Sequence, residues 1–314
     1  RGRGEKISKG GFTEGVVPFI KVNDSAVIAT SQGGVRRGSV SMNLPVRHKD
    51  VNEYLNIRLP EGDVNRQCLN VNHCVTIDDY FMEDVENGNV QARETYTKII
   101  NTRMKTGQPY IMYYHNVHNQ RPEDMKKRNL KIDGTNICTE ILSFHDKDHT
   151  VVCDLASGNV AYFDEWKDDT EFVEYGLLLL DVNLQYFIKK AKGKDGFENA
   201  IRFAEKSRLL GFGLLGFHTY LQEKMIPFVS HYSRSLLNTI GNKLKTEGNN
   251  YNKKYGKLFG TPEWCDENRN LCLFAVAPTF TTATIKNVSN EIEPIVANAF
   301  IQKTAKGTFI RKNK

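Results

Sequence analysis

The sequence predicts one α/β domain. Three observations lead there: β-prone runs alternate with helical ones, no internal repeat or low-complexity linker divides the chain, and 314 residues suffice for a large single core. With 25% charged and 39% hydrophobic residues the composition is globular, which excludes disordered and collagen-like chains.

Residues 1–15 are rich in glycine and charge, and read as a loop offering backbone amides to an anion or as a frayed terminus. A mostly apolar stretch, Val16 to Ala29, follows. Gln32 to Gly38 is a glycine-rich turn carrying two guanidinium groups, with no following GK[ST] to make it a Walker loop. Val40 to Leu44 alternates and reads as a strand leading into Pro45, and Asn70 to Ile77 reads as another. Between them Leu59 to Gln67 is polar and turn-rich, long enough for a functional loop. Ala92, Tyr96, Ile99, Ile100 and Met104 follow helical spacing, so a helix is predicted over Ala92–Thr106 with Gly107 as its stop.

Further along, Thr150 to Leu155 is a short β-prone run. Leu177 to Ile188 and Phe197 to Leu221 read as helical, with Gly211, Gly213 and Gly216 on a face where helices approach closely. Tyr251 to Gly260, basic and aromatic, reads as a solvated face rather than an RNA site. Leu271 to Ala277 is an apolar run of strand length ending at Pro278.

Forty-three basic against 37 acidic residues leave a net charge of +6, which permits anionic ligands without demanding DNA. No apolar run approaches the ~20 residues of a membrane-spanning helix, and no secretion signal is present, so a cytoplasmic protein without membrane contact is expected. Six cysteines are too few for a disulfide scaffold, and their spacing contains no CxxC. Reduced thiols and no metal site are expected.

The densest chemistry is Thr135-Asn136-Ile137-Cys138-Thr139-Glu140. If extended, this segment turns Asn136, Cys138 and Glu140 to one side, gathering an amide, a thiol and a carboxylate. A buried structural cysteine is the plainer alternative. Cys153 lies fifteen residues on, within reach of a hairpin-like return. At Pro278-Thr279-Phe280-Thr281-Thr282-Ala283-Thr284 a strand ends in a cluster of hydroxyls, suited either to holding phosphate or to capping the next helix.

Together these segments resemble the catalytic large subunit of class I ribonucleoside-diphosphate reductase. The motifs are Ser31 to Gly38, Asn136 to Glu140, Val152-Cys153-Asp154-Leu155-Ala156, Leu210-Gly211-Phe212-Gly213, and Pro278 to Thr284 with Ile292-Glu293-Pro294, all in the family's order. The resemblance implies a ten-stranded β/α barrel, incomplete at both ends, whose central finger loop carries Cys138.

It further implies that Cys138 is the thiyl-radical position, Glu140 the general base and Asn136 the holder of the ribose hydroxyls. Cys153 becomes one of two reducing thiols, and Pro278, Thr279, Phe280, Thr281 and Thr282 the substrate diphosphate loop. Arg1 and Lys9 fall in a loop contacting a deoxynucleotide triphosphate or ATP effector, and Arg66 and Gln67 in a loop relaying effector identity.

No cofactor is expected on this chain. The radical would come from a metal-containing small subunit, and a thioredoxin- or glutaredoxin-type protein would supply electrons. On this resemblance residues 1–314 form a partial barrel domain beginning inside the effector loop, lacking the ATP cone and the C-terminal redox tail. The fragment would arise from a split gene of bacteriophage type or from a longer precursor, and would need complementing large-subunit fragments. A cobalamin-dependent reductase and a non-catalytic nucleotide-binding subunit are the alternatives.

Overall fold

The computed structural model describes residues 1–8, 10–31, 38–304 and 307–313. Lys9 and residues 32–37, which include most of the glycine-rich turn, lie outside them. The chain divides into two compact units, the first made of residues 1–120 and 132–142, the second of residues 121–131 and 143–314.

In the first unit, β1 (Val40–Pro45), β2 (Val71–Ile77) and β3 (Tyr110–Tyr113) form a parallel sheet in that order. Its helices are α1 (Val17–Ala29), α2 (Val51–Tyr54), α3 (Asp79–Glu86), α4 (Val90–Thr106) and α5 (Tyr114–Asn119). Asn89 caps α4 by accepting from the Ala92 N–H, and Gly107 ends it at φ 76, a left-handed conformation that favours glycine. Leu44, Val71, Val75 and Ile77 share one sheet face and bury against Val17, Leu55, Phe81 and Ile99. Each such side chain contributes about 1.5–3 kcal/mol.

The second unit contains α6 (Glu123–Lys127), β4 (Leu155–Asn159), α7 (Phe163–Trp166), α8 (Glu171–Ala191), α9 (Glu198–Ser207), β5 (Gly211–Leu215), α10 (Phe217–Glu223), α11 (His231–Phe259) and α12 (Phe280–Lys286). An antiparallel hairpin, β6 (Ala299–Thr304) and β7 (Gly307–Lys312), completes it. β4 and β5 pair in parallel, and Val173, Leu177, Leu180, Leu184 and Ile188 of α8 bury with Leu210, Phe212 and Leu214.

The architecture is α/β as expected; the described residues hold seven strands in three sheets and show no closed barrel. Several other expectations need correction. The β-prone run at Thr150 is a strand only from Leu155 onward. Phe197 to Leu221 is not continuously helical: Gly211 and Gly213 sit in β5, crowded by Leu155 and by the extended 275–276 segment rather than by another helix. A Cβ on Gly213 would lie 2.3 Å from the Ala275 carbonyl oxygen, and one on Gly211 would lie 2.4 Å from Leu155 Cδ2.

Leu271 to Ala277 is extended with alternate residues buried, but it forms only one isolated bridge, Phe274 to Phe212. Tyr251 to Gly260 is the end of α11 and its cap, with Tyr251 and Tyr255 buried in the core. No helix among the described residues is long and apolar enough to cross a membrane, and among them no group of three metal-ligating side chains is found.

Candidate active site

The segment around Cys138 is a tight turn rather than an extended strand. The Thr139 N–H donates to the Asn136 carbonyl at 3.0 Å, and Thr139 adopts φ 68. Curling the chain here brings the flanking side chains together. Asn136 Nδ2 donates to Glu140 Oε2 at 2.7 Å, while the Asn136 side-chain oxygen accepts from the Ile141 N–H at 3.0 Å. Cys138 is exposed at the tip, with Asn136 and Glu140 half-buried beneath it.

Both arms of the turn are anchored. Ile132 and Ile141 are buried. The Ile132 N–H donates to His118 Nε2 at 3.1 Å, so the ring proton resides on Nδ1 and reaches the Tyr114 carbonyl at 2.8 Å. Gly134 lies against Asn43 of β1: a Cβ there would stand 3.0 Å from Asn43 Nδ2. Thr135, Thr139, Cys74, Tyr110, Tyr113 and Arg103 line an open depression of about 340 Å³.

The sheet beside this turn has a polar face that the sequence reading missed. Ser41 and Asn43 of β1 lie in register with Asn72 and Cys74 of β2, and Thr76 follows on the same side. Ser41 Oγ, Asn43 Oδ1 and Thr76 Oγ1 are buried without a hydrogen-bond partner among the described residues. Each buried orphan costs about 1–3 kcal/mol unless a ligand or water meets it. The alternation of Ser41 and Asn43 with Val40, Met42 and Leu44 carried the signal of that face.

Two candidate effector loops also meet in this unit. Residues 1–15 are closed by an antiparallel bridge between Lys6 and Phe12, and Arg1 donates to the Lys6 carbonyl at 3.2 Å. Asp50 anchors the loop by accepting from the Arg3 and Val16 N–H groups at 2.8 and 2.9 Å. Burial alone would raise the Asp50 pKa, but those two donors together with nearby positive charge hold the carboxyl below its ordinary value. Arg66 pairs with Glu53 and donates to the Glu14 carbonyl at 3.1 Å, which ties the second loop to the first. Gln67 presents its carbonyl to Lys21 Nζ at 2.6 Å.

In the second unit Cys153 is exposed just before β4. The neighbouring Asp154 carbonyl accepts from the Gly211 N–H at 2.9 Å, fixing this backbone to β5. Asp154 itself is buried, bonded by Asn183 Nδ2 at 2.7 Å, and burial pushes its carboxyl pKa up. Asp181 centres a buried ionic knot, its Oδ1 accepting from Arg208 Nε at 2.8 Å and from Asn270 Nδ2 at 2.9 Å.

The hydroxyl cluster opens α12 without capping it, since no side chain bonds the first free N–H groups of the helix. Thr279 is the residue before the helix and is buried, whereas Pro278, Phe280, Thr281 and Thr282 are exposed. Both the N–H and the hydroxyl of Thr279 are engaged by Glu291, which stands at φ 34. Arg311 of β7 donates to Thr284 Oγ1 at 2.7 Å and lies over the Phe280 and Phe300 rings at 5.5 and 5.8 Å.

A polar-faced parallel sheet beside a cysteine-tipped turn, with the motif order along the chain, defines the class: an α/β protein carrying an exposed thiol flanked by an amide and an acid. Residues 1–90, 86–253 and 267–314 match the ribonucleotide reductase barrel domain, and the chain belongs to that family.

It is 34% identical over 312 residues to a Frog virus 3 protein named as a ribonucleoside-diphosphate reductase large subunit, covering 94% of this chain and 55% of that one. The large subunit of Invertebrate iridescent virus 3 is 28% identical over 372 residues, with 96% and 59% covered. The class Id ribonucleotide reductase alpha subunit of Actinobacillus ureae superposes with a TM-score of 0.86 at 31% identity, over 95% of this chain and 55% of that one. The chain thus spans about half the length of the relatives it matches.

Proposed function

We propose that this chain forms the active-site part of the large subunit of a class I ribonucleoside-diphosphate reductase, acting with complementing large-subunit segments. The observation that carries the reading is the Asn136–Glu140 hydrogen bond closed beneath Cys138. In the assembled subunit these strands belong to a ten-stranded β/α barrel and the 136–140 turn is its finger.

Cys138, as a thiyl, takes the ribose 3′-hydrogen as an atom, forming S–H and leaving a radical at C3′. Glu140 accepts the 3′-hydroxyl proton, and Asn136 orients the hydroxyls. The 2′-hydroxyl leaves as water while Cys153 and a thiol from a complementing segment supply two electrons and two protons and close into a disulfide. The hydrogen then returns from Cys138 to C3′, and Glu140 gives its proton back to the 3′-oxygen.

Residues 278–282 hold the diphosphate. Arg1, Lys9, Arg66 and Gln67 answer to deoxynucleotide triphosphate or ATP effectors. A metal-containing small subunit supplies the radical, and a thioredoxin- or glutaredoxin-type protein reopens the disulfide in the cytoplasm.

The test is turnover in the assembly reconstituted with the small subunit and complementing chains. Cys138→Ala abolishes deoxynucleotide formation with assembly intact, and Glu140→Gln, which still accepts from Asn136, lowers kcat by about 10²-fold. Unchanged turnover in Cys138→Ala removes the reading. The second reading, a cobalamin-dependent reductase, draws on 25% identity over 326 residues to the vitamin B12-dependent enzyme of Thermoplasma acidophilum. Turnover that required cobalamin instead of the small subunit would establish it.

A further inference from the structure

Asp154 is a buried acid to which the proposed reaction gives no task. Burial alternates along its segment, with Cys153 exposed, Asp154 6% exposed and Leu155 exposed, so the thiol and the carboxyl of adjacent residues leave opposite sides of the chain. The backbone here is fixed, because the Asp154 carbonyl accepts from the Gly211 N–H. The side chain is fixed as well, with Asn183 Nδ2 of α8 donating to its Oδ1 at 2.7 Å. Its Oδ2 is buried without a hydrogen-bond partner among the described residues.

The cations nearby are committed to a different acid. Arg208 donates through Nε to Asp181 Oδ1, through Nη2 to the Asp181 carbonyl at 2.9 Å and through Nη1 to Gln185 at 2.9 Å. Arg269 Nε donates to Asp181 Oδ2 at 3.2 Å, and its Nη1 is taken by the Phe259 and Gly260 carbonyls. α11 brings Tyr251 toward Asp181, a phenol that burial keeps protonated, and β5 carries no charged residue. Burial pushes the Asp154 carboxyl up, the Asn183 bond and Arg208 draw it partly back, and the charge of Asp181 adds to the rise. Starting from 3.8, it still ionises before a thiol, whose ordinary value is about 8.5.

A carboxylate so placed has no cation of its own and little water to screen it. Neighbouring Cα atoms are about 3.8 Å apart, so its field reaches the sulfur of the preceding residue. We propose that Asp154 is a positioning residue for the proton of Cys153: its buried charge disfavours the thiolate, and the sulfur stays a hydrogen donor. The inference rests on the reductase reading for its purpose, since there Cys153 gives up a proton as well as an electron when the disulfide closes. A thiolate would bring the electron without the proton.

Alkylation of the 314-residue chain by iodoacetamide, from about pH 6.5 to about pH 10, tests it by peptide mass spectrometry with Cys138 of the same molecule as reference. Asp154→Asn keeps an acceptor for Asn183 and removes the charge. Cys153 of this variant is labelled about fivefold faster than in the wild type near neutral pH, the two rates converge at the alkaline end, and Cys138 is unmoved. Asp154→Ser, smaller and also uncharged, gives the same change, which separates charge from shape. An unchanged Cys153 profile in either variant overturns the proposal. So does equal acceleration at Cys138 or the buried Cys74, which would report an opened chain instead of a lost charge. The labelling needs no turnover, so its failure and the failure of the reductase reading are separate observations.

Discussion

Glu291 and Thr279 hold each other reciprocally: the Glu291 carboxylate accepts from the Thr279 N–H and hydroxyl, and the Glu291 N–H donates back to that hydroxyl at 3.0 Å. An anionic side chain thus takes up the donors that the proposed diphosphate loop would offer to substrate. Two anions cannot share one pair of donors without strong repulsion. Glu291→Gln keeps an acceptor for Thr279 and removes the charge, so nucleoside diphosphates and inorganic pyrophosphate are expected to bind about tenfold tighter, roughly 1.4 kcal/mol. The unphosphorylated nucleoside should bind unchanged. Titration calorimetry measures all three, and weaker diphosphate binding in the variant would show that Glu291 supports the loop instead.

Thiol chemistry should separate the cysteines into two groups. Cys68 and Cys74 are buried, and burial pushes each thiol up to about 11; Cys265 rises to about 12 for the same reason. Cys138 and Cys153 are exposed. Iodoacetamide at neutral pH is expected to label Cys138 and Cys153 first, because access and thiolate fraction set the rate. Peptide mass spectrometry after short exposure reads the order, and early labelling of Cys74 would contradict the burial of β2.

His73 supplies a pH dependence to stability. Burial is the main cause lowering its pKa from the ordinary 6.5 to about 4, and Gln108 bonds its ring only in part compensation. Between these values the unfolded chain binds a proton that the folded chain refuses. Its stabilising contribution is therefore complete above about pH 6.5 and is lost as pH falls toward 4, amounting to roughly 3 kcal/mol. Urea midpoints across this interval should fall, and His73→Gln should flatten the dependence.

Two glycine substitutions should move stability in opposite directions. Gly213→Ala drives a methyl into the Ala275 carbonyl, a backbone atom that cannot swing aside, and is expected to cost about 3 kcal/mol or more. Gly241→Ala, within α11 and facing open space, should gain about 0.5–1 kcal/mol by stiffening the unfolded chain and favouring helix. Urea denaturation compares both with wild type.

What was legible in the sequence was local. β1, β2 and α4 follow from period-2 or period-3.6 patterning closed by Pro45 and Gly107, whose backbone preferences act within a few residues. The β5 segment was not legible as a strand, since its glycines are explained by contacts with Leu155 and Ala275, residues distant in sequence. In the 135–140 segment the residue types pointed to the chemistry, but alternation gave the wrong geometry. The left-handed Thr139 is not a preference of threonine; the bonds of Asn136 to Glu140 and Ile141, together with the anchored arms, hold it. Nothing local to Thr279 announced Glu291, twelve residues on.

Thr139 also bears on how portable the thiol-bearing tip is. A β-branched residue at φ 68 resists its own conformation by about 1–2 kcal/mol, so the curl is imposed from outside by anchored arms rather than stored in the tip's own preferences. Excised as a short peptide, residues 132–142 would relax and swing the sulfur off its bearing. Grafting this chemistry onto another scaffold would therefore require transplanting His118 and Asn43 along with the loop, for they are the clamps that keep the spring bent.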